Sequence, residues 1–176
     1  MNLVLIGYRA AGKTTVGRRL SGSLRKVFVD TDVVIEERQG KPIGEIVNFF
    51  GWDYFRSIER EVISEISNYD DLIIAAGGGA ILEPGNVRDL KRNGFIIWLR
   101  ADAQALLGRM AEDHRTATRR PSLTGKGTFE ELEEVMAYRT PFYERASEAQ
   151  IDTSALSVKG VVEGVLSMFH ERSRRK

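Results

Sequence analysis

The sequence predicts an α/β fold in which a parallel β-sheet is covered by helices. Three observations carry this expectation. Short apolar runs alternate along the chain with polar-faced stretches of helical length. The runs are apolar throughout rather than alternating, the pattern of strands buried on both faces. The first run leads directly into Gly7-Tyr8-Arg9-Ala10-Ala11-Gly12-Lys13-Thr14, a glycine-containing loop of the kind that joins a strand to a helix.

Strands are expected at Leu3–Ile6, Val27–Val29, Leu72–Ala75 and Phe95–Leu99, with a weaker one near Ala149–Ile151. A helix is expected over Thr15–Leu24, with Val16, Leu20 and Leu24 on one face. Trp52 to Glu59 opens a second helical stretch whose stripe is Phe55, Val62 and Ile66. Glu130 to Ala146 places Leu132, Val135, Met136, Phe142, Tyr143 and Ala146 at helical spacing. From Asp102 to Gln150 two helical patterns follow one another with no strand between them. They are joined by His114–Gly127, a polar, basic segment longer than most connections in compact domains. It is expected to be a mobile lid. With no repeat and no linker composition, residues 1–176 are expected to form one domain.

Composition excludes several classes of function. Hydrophobic residues make up 42% of the 176, enough for a real core and too many for a disordered chain. Basic and acidic residues number 26 and 25, a net charge of +1, which gives no global field to attract nucleic acid or an anionic membrane. There is no cysteine, so disulfide scaffolds and thiolate metal sites are excluded. The N-terminal apolar run is too short for a signal peptide, and no basic region precedes it. No segment approaches the roughly 18 uncharged apolar residues of a membrane span. A cytoplasmic protein without nucleic-acid or membrane partners is expected. The basic end, Arg172 to Lys176, reads as a solvated tail.

The glycine loop carries the first chemistry. Its spacing, G-x-x-x-x-G-K-[ST], lets the backbone wrap phosphates with its N–H groups pointing inward. The helix that follows adds a favourable dipole. Lys13 is placed to reach the β- and γ-phosphates of a nucleotide, and Thr14 to ligate Mg²⁺. Asp30-Thr31-Asp32 ends the second strand, and ligands of open parallel sheets sit beyond such ends. Asp30 is a candidate for the metal's water shell, and Asp32 for orienting or deprotonating a hydroxyl acceptor. Either acid could instead cap the next helix. No aspartate ends the third strand, which leaves Asp30 as the substitute for the usual second metal acid.

Gly77-Gly78-Gly79 follows the third strand, either as a wall with free N–H groups that a ligand approaches closely or as a tight turn. Arg56 has Glu59 three residues on, and by itself reads as a surface ion pair. Arg139 falls inside the apolar stripe of its helix. A buried arginine needs a partner, and the alternatives are a ligand carboxylate held by both guanidinium nitrogens or an internal salt bridge.

Taken together these residues resemble the shikimate kinases, P-loop enzymes of the nucleoside monophosphate kinase structural group. The resemblance runs from residue 2 to about 153. It rests on Gly7 to Thr15, Phe28-Val29-Asp30-Thr31-Asp32 with Ile35-Glu36, Phe55-Arg56-x-x-Glu59, Gly77-Gly78-Gly79-Ala80, Arg120-Pro121 and Arg139-x-x-x-Tyr143. It implies a three-layer sandwich whose five-stranded parallel sheet has the order 2-3-1-4-5, with helices on both faces. It also implies transfer of the ATP γ-phosphate, with one Mg²⁺, to the 3-hydroxyl of shikimate in aromatic amino-acid biosynthesis, by a monomer. By position, Gly7, Ala10, Ala11, Gly12, Lys13, Thr14 and Thr15 resemble the phosphate loop, and Thr14 and Asp30 the metal residues. Asp32, Arg56, Arg139 and Gly77 to Gly79 resemble the shikimate site, and the substrate-binding helices are expected over about 31–66. Arg120, beside Arg119, resembles the lid arginine that reaches ATP and the transferring phosphoryl, and makes up the catalytic set with Lys13 and Asp32. Arg109 lies where the family stacks a side chain on adenine. Two departures stand out. Arg9-Ala10-Ala11 stands where members often carry another glycine, and Ser154 to Lys159 replaces a proline-containing turn beside the adenine.

Overall fold

The computed structural model describes residues 1–112 and 128–175, the side chains of 128–130 excepted. The expected lid, with Arg119 and Arg120, lies outside the described residues. In chain order the elements are β1 (Asn2–Ile6), α1 (Lys13–Leu24), β2 (Val27–Asp30), α2 (Thr31–Gln39), α3 (Ile43–Ile66), β3 (Leu72–Ala75), α4 (Pro84–Asn93), β4 (Gly94–Arg100), α5 (Ala103–Glu112), α6 (Thr128–Ala146), β5 (Ala149–Asp152) and α7 (Val158–Arg174). A 3₁₀ turn, Ala80–Leu82, links β3 to α4. The five strands form one parallel sheet in the order β2-β3-β1-β4-β5.

Alternation along the central strands builds two apolar layers. Leu3 and Leu5 of β1 join Ile73, Ile97 and Leu99 under α1, α5 and α7. Val4 and Ile6 join Ile74, Ile96 and Trp98 under α2, α3 and α4. The expectation of burial on both faces therefore holds for β1, β3 and β4. It fails at the edges. Val27 of β2 is 65% exposed, and β5 alternates half-buried with exposed positions. The covering helices centre on the middle strands, so the edge strands are apolar without being enclosed.

Two local features set up the site. Gly51, at φ 83 and ψ 170, breaks α3 into limbs 43–50 and 52–66. This left-handed position is open to glycine at no steric cost. The second limb carries the expected Phe55, Val62 and Ile66 stripe, all buried. Helix α6 begins against one apolar layer through Leu132 and Val135 and ends against the other through Tyr143 and Ala146. Arg139 sits between these two contacts.

Candidate functional site

The loop between β1 and α1 closes tightly over the sheet. Gly7 has φ 147, and a Cβ there would lie 2.5 Å from the carbonyl oxygen of Leu99. Gly12, at φ 95, precedes α1, whose start has no side-chain cap and no acid in its first turn. The first amides of α1 are thus left to an anion. Ala10 is also left-handed, at φ 63. That conformation costs a non-glycine residue about 1–2 kcal/mol. Lys13 Nζ donates to the carbonyls of Gly7 at 2.8 Å and Tyr8 at 3.0 Å, so the lysine folds over its own loop.

The capping reading of Asp30 is realised, and its other carboxylate oxygen is turned to the phosphate loop. One carboxylate oxygen accepts from the Thr14 hydroxyl at 2.7 Å. The other accepts from the Asp32 amide at 3.1 Å and caps α2. The capping bond fixes the carboxylate while its second oxygen faces the phosphate loop.

Two clefts lie side by side at the C-terminal edge of the sheet. The larger has about 1780 Å³ of empty space including open solvent, and runs from the loop to Arg109, Thr153, Leu156 and Val158. The smaller, about 520 Å³ on the same measure, is walled by Tyr8, Trp52, Phe55, Arg56, Glu59, Gly77 to Gly79 and Arg139. Arg9, Asp32 and Ile43 line both. Every described residue assigned from the sequence to phosphate, metal or adenine lines the larger cleft except Gly7, whose carbonyl holds Lys13. Every one assigned to the acceptor lines the smaller.

Two of the three glycines, Gly77 and Gly79, are explained by close approach rather than by backbone conformation, since none of the three has a positive φ. A Cβ at Gly77 would lie 2.7 Å from a carboxylate oxygen of Asp32 and 2.8 Å from one of Glu59. A Cβ at Gly79 would run into the guanidinium of Arg56. The expectation of free N–H donors is corrected at Gly77, whose amide is spent on Thr31 Oγ1 at 2.9 Å. The turn reading is realised, because Gly77 and Gly79 accept the 3₁₀ bonds of Ala80 and Leu82, and all three glycines line the smaller cleft.

Arg56 pairs with Glu59 at 2.6 Å, as its spacing predicted, but the pair lies in the pocket wall rather than on the surface. The guanidinium is stacked 5.2 Å from the Phe55 ring centroid and 5.6 Å from that of Trp52. The Glu59 side chain is 1% exposed, and its Oε1 has no hydrogen-bond partner. Burial pushes the Glu59 carboxyl above its ordinary range, against the opposing pull of Arg56.

Arg139 is 8% exposed, and among the described residues it forms no ion pair with a carboxylate. It lies over the Tyr8 ring at 5.9 Å. Tyr143, one turn on, donates to the Gly78 carbonyl at 2.6 Å. Burial raises its hydroxyl to about 12, against the pull of Arg139, so it stays a donor at physiological pH. Arg109 bridges the loop and the end of β5 through the carbonyl of Ala10 and both oxygens of Thr153. Leu156 and Val158, exposed apolar residues in the turn that replaces the family's proline, line the cleft beside it.

Sequence reasoning left Tyr8, Arg9, Ile43 and Trp52 unassigned, and took Thr31 only as a spacer. The available signal for Tyr8 and Arg9 was their place inside the phosphate motif, where the pattern leaves side chains unspecified.

The family model "Shikimate kinase" matches residues 9–170. A shikimate kinase of Syntrophus aciditrophicus is 37% identical over 179 aligned residues, covering 97% of this chain and 92% of its own. One from Symbiobacterium thermophilum is 38% identical, covering 99% of each. The solved shikimate kinase of Acinetobacter baumannii in complex with shikimate superposes with a TM-score of 0.90 at 30% identity, covering 97% of this chain and 93% of its own. With the sheet order, the phosphate loop and the paired clefts in agreement, the chain belongs to the shikimate kinase family of ATP-dependent kinases.

Proposed function

We propose that this chain transfers the γ-phosphate of ATP to the 3-hydroxyl of shikimate, giving shikimate 3-phosphate and ADP, within aromatic amino-acid biosynthesis. The observation that carries the proposal is the shared wall of the two clefts. Asp32 belongs to both, so a hydroxyl held in the smaller cleft meets the phosphates held in the larger across that residue. The relative whose structure contains shikimate supports the choice of acceptor.

Each residue has a role in this reading. The loop amides from Gly7 to Thr15, with Ala10 and Ala11, hold the phosphates. Lys13 exchanges its contacts with its own loop for the β- and γ-phosphates. Asp32 orients the acceptor hydroxyl and takes up its proton. Arg56 and Arg139 hold the acceptor between them, against Gly77, Gly78 and Gly79. Arg120, outside the described residues, keeps its role on the transferring phosphoryl. Arg109, with Leu156 and Val158, faces the adenine.

Thr14 and Asp30 fit one Mg²⁺. They offer hydroxyl and carboxylate oxygens, the hard donors this ion prefers. The remaining positions around the ion would be filled by water and phosphate oxygens. Once bound, Mg²⁺ neutralises charge on the β- and γ-phosphates. The chain acts as a cytoplasmic monomer, 1–176 forming one kinase domain. No helix among the described residues is long and apolar enough to cross a membrane.

The test is ADP release by purified protein with Mg-ATP against a panel of hydroxy acids. Release with shikimate is expected. Release with gluconate or another sugar acid, but none with shikimate, would reassign the acceptor.

A further inference from the structure

We propose that Arg9 is an anion-reading residue of the acceptor pocket, sharing the acceptor's carboxylate with Arg139. The proposal rests on the reading of the acceptor as a carboxylated polyol, and adds a residue that the motif leaves unspecified.

Three observations on different elements converge on it. The first is placement. Arg9 lines the acceptor pocket as well as the nucleotide cleft. Its guanidinium and that of Arg139 address the same aromatic ring, at 5.6 Å and 5.9 Å from the Tyr8 centroid. Tyr8 is itself buried in the pocket wall, so its ring is a common platform for two cations.

The second is charge. The pocket is lined by three arginines, Arg9, Arg56 and Arg139, and by two acids, Asp32 and Glu59. Glu131 stands behind Arg9 at the edge of this lining, at the longer distance of 3.5 Å. Glu59 is engaged by Arg56 at 2.6 Å. Arg139, and Arg9 with its long contact to Glu131, are the arginines that can meet a ligand carboxylate.

The third is incomplete pairing. The Arg9 side chain is 13% exposed, and its partner among the described residues is Glu131 of α6 at 3.5 Å. This is longer than the roughly 2.7–2.9 Å of a charge-assisted hydrogen bond. The Arg9 Nε is buried and has no hydrogen-bond partner among the described residues. A desolvated guanidinium is costly unless its donors are used. Glu131 thus holds the side chain in position without saturating its donors, and a planar carboxylate suits the donors that remain.

Calorimetric titration of shikimate and of its methyl ester, which lacks the anionic charge, into wild-type protein, Arg9→Ala and Arg9→Lys tests this. For Arg9→Ala, affinity for shikimate should fall about tenfold or more, as for loss of a charge-assisted contact, with KM for ATP unchanged. The same substitution should alter affinity for the ester by less than about threefold. Arg9→Lys should recover part of the loss. Unchanged shikimate affinity in Arg9→Ala overturns the assignment, as does an equal loss for acid and ester. A fall in kcat alone, with both affinities intact, would overturn it in favour of a role on the phosphoryl side. A fall in melting temperature alone would overturn it in favour of a structural tie to Glu131. Wild-type protein that binds and phosphorylates no shikimate overturns the proposed function itself, an outcome distinct from the failure of Arg9→Ala to differ from a working wild type.

Discussion

The hydroxyl of Thr14 donates to Asp30 at 2.7 Å, joining the start of α1 to the end of β2 at the point where a nucleotide-bound metal would be held. Because Asp30 also caps α2, one side chain ties the phosphate loop to the helix that carries Asp32.

Asp30→Ala should therefore have two separable effects. Loss of the cap should lower unfolding free energy by about 1 kcal/mol. Loss of the carboxylate should raise the Mg²⁺ concentration needed for half-maximal activity. Asp30→Ser restores a capping oxygen without the charge. It should recover the stability in urea titrations but not the Mg²⁺ response, and recovery of both would remove Asp30 from the metal site.

Lys13→Ala should lower kcat by about 10²-fold or more, since phosphoryl transfer depends on positioned charge. Lys13 donates to two carbonyls of its own loop, within one local segment, so the melting temperature should move little. Near-normal kcat would show that the loop does not act on the transferring phosphate.

Arg139→Leu separates ligand binding from folding. Among the described residues no carboxylate pairs with Arg139, so its replacement by a packed apolar side chain should leave the ligand-free melting temperature unchanged or higher. Shikimate binding should weaken by about 2 kcal/mol, the worth of a charge-assisted contact. Arg139→Lys should restore only part of it, because an ammonium lacks the planar fork. A sharp fall in stability with unchanged KM would assign Arg139 to the fold instead.

Gly79→Ala should act on the acceptor alone. The new methyl group meets the Arg56 guanidinium and must displace it from Glu59 and the pocket. KM for shikimate should rise while KM for ATP stays constant. Gly22→Ala is the control. It adds a methyl group to open space on α1, and should stabilise by up to about 1 kcal/mol with both constants unchanged. Equal acceptor KM for Gly79→Ala and wild type would show that Arg56 does not need its observed position.

Glu59 links the site to pH. Burial raises its carboxyl in the folded chain above its unfolded value, against the pull of Arg56. Its contribution to stability is present below the unfolded value, about 4.3, and is lost as pH rises through the folded value. The melting temperature of Glu59→Gln relative to wild type should therefore rise with pH across that window. The same variant should raise KM for shikimate, because Arg56 loses its charged partner. A relative melting temperature that falls with rising pH would show that the ion pair outweighs the desolvation.

Much of this protein was legible in the sequence because it is local. Continuous apolar runs placed all five strands to within one residue at each end. The spacing of Gly7, Gly12, Lys13 and Thr14 predicted a strand, a loop and a helix, all of them contiguous. The apolar stripe around Arg139 predicted an inward arginine, which is now seen at 8% exposure. The acids Asp30 and Asp32 were placed at the sheet edge by their position after a strand.

What the tertiary structure alone decided depends on residues far apart in the chain. Thr31 consumes the Gly77 amide across 46 positions, and Tyr143 reaches the Gly78 carbonyl across 65. No local pattern encodes either bond. The exposure of β2 and β5 follows from sheet order, which puts them at the edges whatever their own apolarity. The burial of Glu59, and the meeting of Arg9 and Arg139 over Tyr8, arise because α3, α6 and the phosphate loop pack around one pocket. Periodicity tells a side chain which way to face, but the charges it meets there are supplied by whichever elements fold against it.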